Sequence, residues 1–449
     1  MAHPQDLPLR EQARLLAVGE LDASELLEAT LGRIEQRNPP LRAVVATFPE
    51  ESRAMLAAAP PGPLRGVPVT VKDMFSLPWR GYRNGTRHEL GAASASGVFR
   101  RLRDAGAVVV GVDNQHELGL GTTGRASPYG AAANPWNAVH CAGGSSSGSA
   151  AAVAARLVAG AVGSDSGGST RLPAGWCGVV GLKVTYGALP YDGYTGANST
   201  FSAPGAFARD AADARLLLEA LLARQLPPGA GGDAGGGRGS DGGLRVGVVR
   251  SPYWEDIDAE VLATCEGALA ALGDVPVELE LPFAELAAPA GAVRAGAELG
   301  VAVPREVIGE LDPITRGLLQ YGALQPARRL VRADRVRARL RRGLLDAFAA
   351  CELLAWPTNP APAPPIEAPM LALPSGPALP DAPTVRQAML ANLAGIPAVS
   401  VPVGFHSSGL PIGLQLLAPW GQESRLLDAA ERIEQASERR WASAAPALA

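Results

Sequence analysis

Three segments carry amine and hydroxyl groups in an order that could perform acyl transfer. PVTVKD (68–73) ends a valine-rich run with Lys72, GGSSSGSAAAVA (143–154) places Ser145 and Ser146 on a glycine turn, and GSDSGGSTRLPAG (163–175) places Ser169 behind a glycine pair. A serine hydroxyl is a weak nucleophile until a base engages it, and no histidine lies near Ser169. Lysine can serve only when neutral, so its ordinary pKa of roughly 10.4 has to be lowered by burial. Val67, Val69 and Val71 around Lys72 suit such a pocket. A serine between base and nucleophile can relay the proton, because a hydroxyl both donates and accepts. Gly167 and Gly168 leave backbone N–H groups uncovered for a developing oxyanion. Taken singly, a lysine at a strand end is a solvated charge and a serine-glycine cluster is a turn; the order of all three segments carries the argument.

Two other motifs compete. GLGTTG (119–124) matches a dinucleotide-binding glycine pattern by letter, but RASPYG follows it where a helix should start, and no acidic residue stands at the required spacing. GSSSG (144–148) matches a nucleophile elbow centred on Ser146, with His406 as the late histidine an α/β-hydrolase would need. Spacing alone leaves that alternative open.

The elements that must position these residues alternate between strand and helix, which makes an α/β protein the expectation. Asp22 and Glu25 have capping-box spacing ahead of Leu27, Leu31 and Ile34, predicting a helix that stops before Asn38-Pro39-Pro40. GVPVTVKD and AGAVVVGVD read as buried strands, Ser147–Val158 as a helix, and LRVGVV and CELLAW as later strands. The basic run from Arg328 to Arg342 reads as a solvated helix face anchored by Leu330, Val336, Leu340 and Leu344. Pro357 to Pro383 should be extended and irregular, bordering a binding site. We expect one domain over 1–449: an N-terminal helical layer (1–60), a catalytic core (61–225), a flexible glycine-rich loop (226–243), and the rest of the sheet with substrate-side loops (244–449).

Composition narrows the function classes. A hydrophobic fraction of 47% is ordinary for a globular protein, and a net charge of −4 offers no field to recruit nucleic acid or anionic membrane. The four cysteines, Cys141, Cys177, Cys265 and Cys351, lack metal-site or disulfide-scaffold spacing. Together with a polar N-terminus and no span-length apolar run, this predicts a cytoplasmic protein.

The three segments, together with ASELLEATLGRIEQRNP, NQHELGLGTTG, NPWN, AGIPAVSVPVGF and GLPIGLQLLAP, resemble the amidase signature family of serine hydrolases across nearly the whole chain. The resemblance implies one α/β/α domain around a twisted mixed sheet, with no metal or organic cofactor. It implies Ser169 as nucleophile, Ser145 as a bridging serine after a cis peptide, and Lys72 as base. The amides of Ser166, Gly167, Gly168 and Ser169 would form the oxyanion hole, supported by Ser146, Asp165 and Arg171.

Substrate is open at this level. One branch of the family releases ammonia from glutamine inside a tRNA-dependent amidotransferase, holding the amino group with an aspartate seven residues before the asparagine of ANLAG; here that position is Val385. Trp176, Cys177, Tyr191 and Tyr194 are the candidate pocket residues, with Trp79, Tyr82 and Phe201 as further rim candidates. The expectation is a stand-alone monomer or homodimer acting on small aryl or alkyl amides, with carbamates (urethanes) and esters in range. The alternatives are a silent binding protein and the glutaminase component of an amidotransferase.

Overall fold

The β-branched runs become the centre of one sheet. In a computed structural model describing residues 3–190, 192–193, 200–226, 244–273, 276–437 and 446, eleven strands pair continuously. They are β1 (Val44–Thr47), β2 (Pro68–Lys72), β3 (Val108–Asp113), β4 (Gly160–Asp165), β5 (Val180–Lys183), β6 (Ala203–Ala208), β7 (Val246–Val248), β8 (Val277–Glu278), β9 (Leu353–Pro357), β10 (Ala398–Phe405) and β11 (Pro411–Leu417). Their spatial order is β1-β3-β2-β4-β6-β5-β10-β11-β9-β7-β8. β2 runs parallel to β3 and β4, and β7 runs parallel to β8 and β9. The remaining pairs are antiparallel, so the sheet is mixed.

Strands β2, β3 and β4 are buried along their whole length, which requires cover on both faces. Alternation divides their side chains accordingly. Val162 joins the core under helices Gly97–Asp104, Ala211–Leu222 and Glu423–Ala436, whereas Ala161 joins the core under helices Ala23–Leu41 and Ser147–Ala154. The result is the α/β/α layering expected from the sequence. No helix among the described residues is long and apolar enough to cross a membrane.

Several boundaries move. Asp22 caps its helix through Oδ1, which accepts from the N–H groups of Ser24 and Glu25 at 2.8 and 2.9 Å. That helix nevertheless continues to Leu41, with Pro39 and Pro40 inside its last turn, and Arg42 closes it in the left-handed region. The N-terminal layer is not purely helical, because β1 forms the sheet edge. The alanine-rich run stops at Ala154, and Arg156, at φ 58, turns the chain into β4. The proline-dense stretch holds a hairpin, Leu371–Leu373 with Gly376–Ala378, and helix Asp381–Ala394 starts within it. The glycine-rich loop, apart from Leu226, lies outside the described residues.

Candidate active site

Because β2 is parallel to β3 and β4, all three strands deliver their C-terminal ends to one edge of the sheet. Ligand sites in such sheets form beyond those ends, where loops meet over exposed peptide groups. β2 ends at Lys72, β3 leads into the 114–124 loop, and β4 leads into Ser166–Ser169. The glycine turn before helix Ser147–Ala154 drops between them, with a cis peptide bond between Gly144 and Ser145.

Lys72 is fully buried, and its Nζ lies 2.7 Å from Ser145 Oγ and 3.0 Å from Ser164 Oγ. Burial pulls the lysine pKa down to about 7, against the opposing pull of the Asp165 charge. A sizeable neutral fraction therefore exists near neutral pH, and neutral amine is the form that can take a proton. Ser145 is fixed from behind by its carbonyl, which accepts the His116 N–H at 3.0 Å. The Ser169 carbonyl accepts the Ser146 N–H at 3.2 Å, tying the two serine turns together.

Asp165 and Arg171 form the buried scaffold of the Ser169 turn. Both side chains are 0% exposed and pair at 3.0 Å. The Asp165 carboxylate also accepts the N–H groups of Gly168, Thr170 and Arg171 and the amide of Asn392. Burial alone would raise this carboxyl's pKa, but the Arg171 charge and these donors together hold it well below the ordinary range. Arg171 donates further to Gln415 Oε1, Asn392 Oδ1 and the Ala388 carbonyl, locking the turn to helix Asp381–Ala394 and to β11. Gly168 sits at φ 106, where a Cβ would also lie 2.4 Å from Ala388 Cβ, so only glycine serves there.

The oxyanion set needs one correction. The Gly168 N–H is committed to Asp165 Oδ1 at 2.8 Å and points into the scaffold. Ser166, Gly167 and Ser169 keep N–H groups without a partner among the described residues, and all three residues line the cavity. Ser166 Oγ is drawn aside to Ser202 Oγ at 2.9 Å.

That cavity encloses about 620 Å³ in front of Ser169. Its wall is formed by the Gly119–Thr122 loop, Phe201, helices Ala287–Ala302 and Pro313–Ala323, and the first turns of helix Asp381–Ala394. Trp176 and Cys177 do not reach it. Trp176 is buried with its Nε1 donating to the Ala361 carbonyl, and Cys177 is packed beneath the sheet with its Sγ on the Ala142 carbonyl. Helix Arg171–Cys177 is buried on every side, and its last two residues pack away from the cavity into separate apolar clusters, Trp176 with Ala361 and Leu410 and Cys177 with Val179 and Phe207. Trp79 is likewise held elsewhere, edge-on to Phe48 and Phe99. Among the rim candidates that are described, Phe201 lines the cavity; Tyr191 and Tyr194 lie outside the described residues. The nucleophile-elbow alternative fails on geometry. Ser146 is fully buried with its Oγ on the Ser164 carbonyl, and His406 lies beside Asp258 and Glu260.

Sequence reasoning missed Ser164, although strand alternation from Val162 would have placed it on one face of β4. It also missed the alanine-rich wall of Ala287–Ala302, which carries no chemical signal. Removing the Ser164 hydroxyl deletes one of two contacts that aim Lys72. The Ser164→Ala variant should lower kcat by about tenfold with KM nearly unchanged, in line with one hydrogen bond to an amine. Steady-state kinetics at pH 8 check this.

A sequence model of the family described as Amidase matches residues 25–427. The chain belongs to the amidase family. Among curated relatives, a glutamyl-tRNA(Gln) amidotransferase subunit of Azoarcus sp. (strain BH72) is 35% identical, covering 95% of this chain and 97% of that protein. Among solved structures, a crystal structure of an amidase superposes with a TM-score of 0.86 at 29% identity, covering 96% of this chain and 100% of the other. A 6-aminohexanoate cyclic dimer hydrolase in complex with substrate superposes at 0.83 with 27% identity, covering 99% of both chains. The mixed sheet and its site edge are thus the amidase-family fold.

Proposed function

We propose that the protein is a free-standing hydrolase of small-molecule amides that works through an acyl-enzyme on Ser169. The observation that carries this reading is the buried contact of Lys72 Nζ with Ser145 Oγ, at 2.7 Å, beside a cavity that Ser169 lines. Ser169 attacks the carbonyl while its proton passes through Ser145 to neutral Lys72. The oxyanion takes the free amides of Ser166, Gly167 and Ser169. Lys72 returns its proton through Ser145 to the departing amine, and water then cleaves the ester by the same relay. Because the leaving group is protonated on departure, carbamates and esters fall within the same chemistry. A cytoplasmic monomer or homodimer belongs to this reading.

The amidotransferase reading is favoured by one observation, the 35% identity to a component of such an enzyme. Against it, Val385 stands on the cavity wall where that branch places a carboxylate. An ammonium held at that same position would face valine and lose its partner.

The test is 4-nitroaniline release by the purified chain across pH. Proton acceptance requires uncharged Lys72, so kcat/KM should rise about tenfold per unit below its pKa of about 7 and level off above it. Lys183 also titrates near 7 through burial, but its Nζ is committed to the carbonyls of Val184 and Ile396. Lys183→Met should therefore keep the same limb. A flat profile would remove Lys72 from the mechanism, and release only after adding a second protein component, with glutamine hydrolysed, would establish the alternative.

A further inference from the structure

The charges around the cavity are one-sided. Helix Asp381–Ala394 presents Asp381 and Val385 to it, one turn apart on the same face, as residues four apart must be. The position that lacks a carboxylate therefore has one about a turn away. Asp381 is fixed in place: its Oδ1 accepts both the N–H and the hydroxyl of Thr122, each at 2.9 Å. Its Oδ2 has no hydrogen-bond partner among the described residues. Glu285 adds a second carboxylate to the wall.

Among the described lining residues the one cation is Arg386, which makes no salt bridge among the described residues and whose Nε is buried without a partner. Its Nη2 donates to the Glu255 carbonyl at 3.0 Å, and the carboxylates acting on it are Asp256 and Glu255. The remaining wall is largely aliphatic, including Ala288, Ala292, Leu299, Ile314 and Leu318. A substrate carboxylate entering beside Asp381 meets like charge, whereas an ammonium meets a pre-oriented acceptor. An alkyl chain between ammonium and carbonyl meets apolar surface.

We propose that Asp381 selects amides whose acyl chain ends in a primary ammonium group, with the aliphatic spacer lying against the 288–299 wall. This rests on the hydrolase reading above and names its substrate class. The acyl portion is the part placed here because it stays bonded to Ser169 until water arrives, so a fixed acceptor holds it through both half-reactions.

The test uses two series of 4-nitroanilides with acyl chains of increasing length, one ending in a methyl group and one in an amine. The parent should favour the amine member over its methyl counterpart by up to about fivefold in kcat/KM at the optimal length, the scale of one exposed charge pair. Asp381→Asn, which keeps an oxygen for Thr122, should collapse that ratio toward one, and Asp381→Glu should retain a preference. Calorimetric binding of the best amine-terminated amide to Ser169→Ala separates recognition from chemistry: adding Asp381→Asn should weaken Kd by up to about fivefold. A ratio unchanged by Asp381→Asn, a preference for the methyl series, or equal binding with and without Asp381→Asn would overturn the assignment. Loss of turnover with binding selectivity intact would instead overturn the hydrolase reading and leave the recognition role standing.

Discussion

Ser169→Ala is expected to lower kcat for 4-nitroanilide hydrolysis by at least about 10³-fold while KM changes by no more than a few-fold. Alanine removes the attacking oxygen and leaves the cavity, the free amides of Ser166 and Gly167, and the Lys72–Ser145 contact in place. The reaction would then depend on direct attack by water, without the covalent intermediate that divides the barrier. Two measurements check it. Anilide release gives the rate, and mass spectrometry of acid-quenched parent enzyme should show an acyl adduct on the 163–175 segment that the variant lacks. Undiminished release by the variant would sink the assignment of Ser169, and an adduct on Ser145 or Ser146 would transfer the role to the neighbouring turn.

Arg171→Met should cost about 3–5 kcal/mol of folding stability, the range for removing one partner of a buried ion pair. The methionine fills similar space, but Asp165 is left 0% exposed and without its main counter-charge. Gln415 Oε1, Asn392 Oδ1 and the Ala388 carbonyl lose a donor in the same step. Urea denaturation gives the number. The double variant Asp165→Asn, Arg171→Met should lose less than the sum of the two single variants, because the unpaired charge is gone. Additive losses would show that the pair is not coupled and that the Ser169 turn is held by its backbone bonds alone.

The legible part of the fold was the part with strong local periodicity. Val67 to Val71 and Val108 to Val112 could hardly be anything but buried strands, and both are. The prolines at 39 and 40 misled as to where a helix ends: each forfeits its own bond to the carbonyl four residues back but has a helical φ, and the Arg42 N–H still closes the turn on the Asn38 carbonyl. Strand β1 was invisible since four residues carry too little pattern. Trp176 and Cys177 misled for another reason. Position after the serine turn says only that they are near in sequence, while the helix that carries them is buried on every side and packs them into apolar clusters away from the cavity.

For the site, residue types and order determined which groups could take part, a lysine flanked by valines and serines on glycine turns, while Asp165 and Arg171 entered only through the resemblance to the amidase signature family. Tertiary structure decided how they meet. Desolvation of Lys72 requires both sheet faces to be covered, which depends on helices hundreds of residues apart. The loss of the Gly168 amide from the oxyanion set depends on the rotamer of Asp165, held by Arg171 and Asn392. The cavity depends on helices Ala287–Ala302 and Pro313–Ala323, whose alanines and glycines carry no functional signature. Local chemistry is written residue by residue, but pKa, donor direction and cavity shape are properties of what surrounds a residue, and only the folded chain supplies the surroundings.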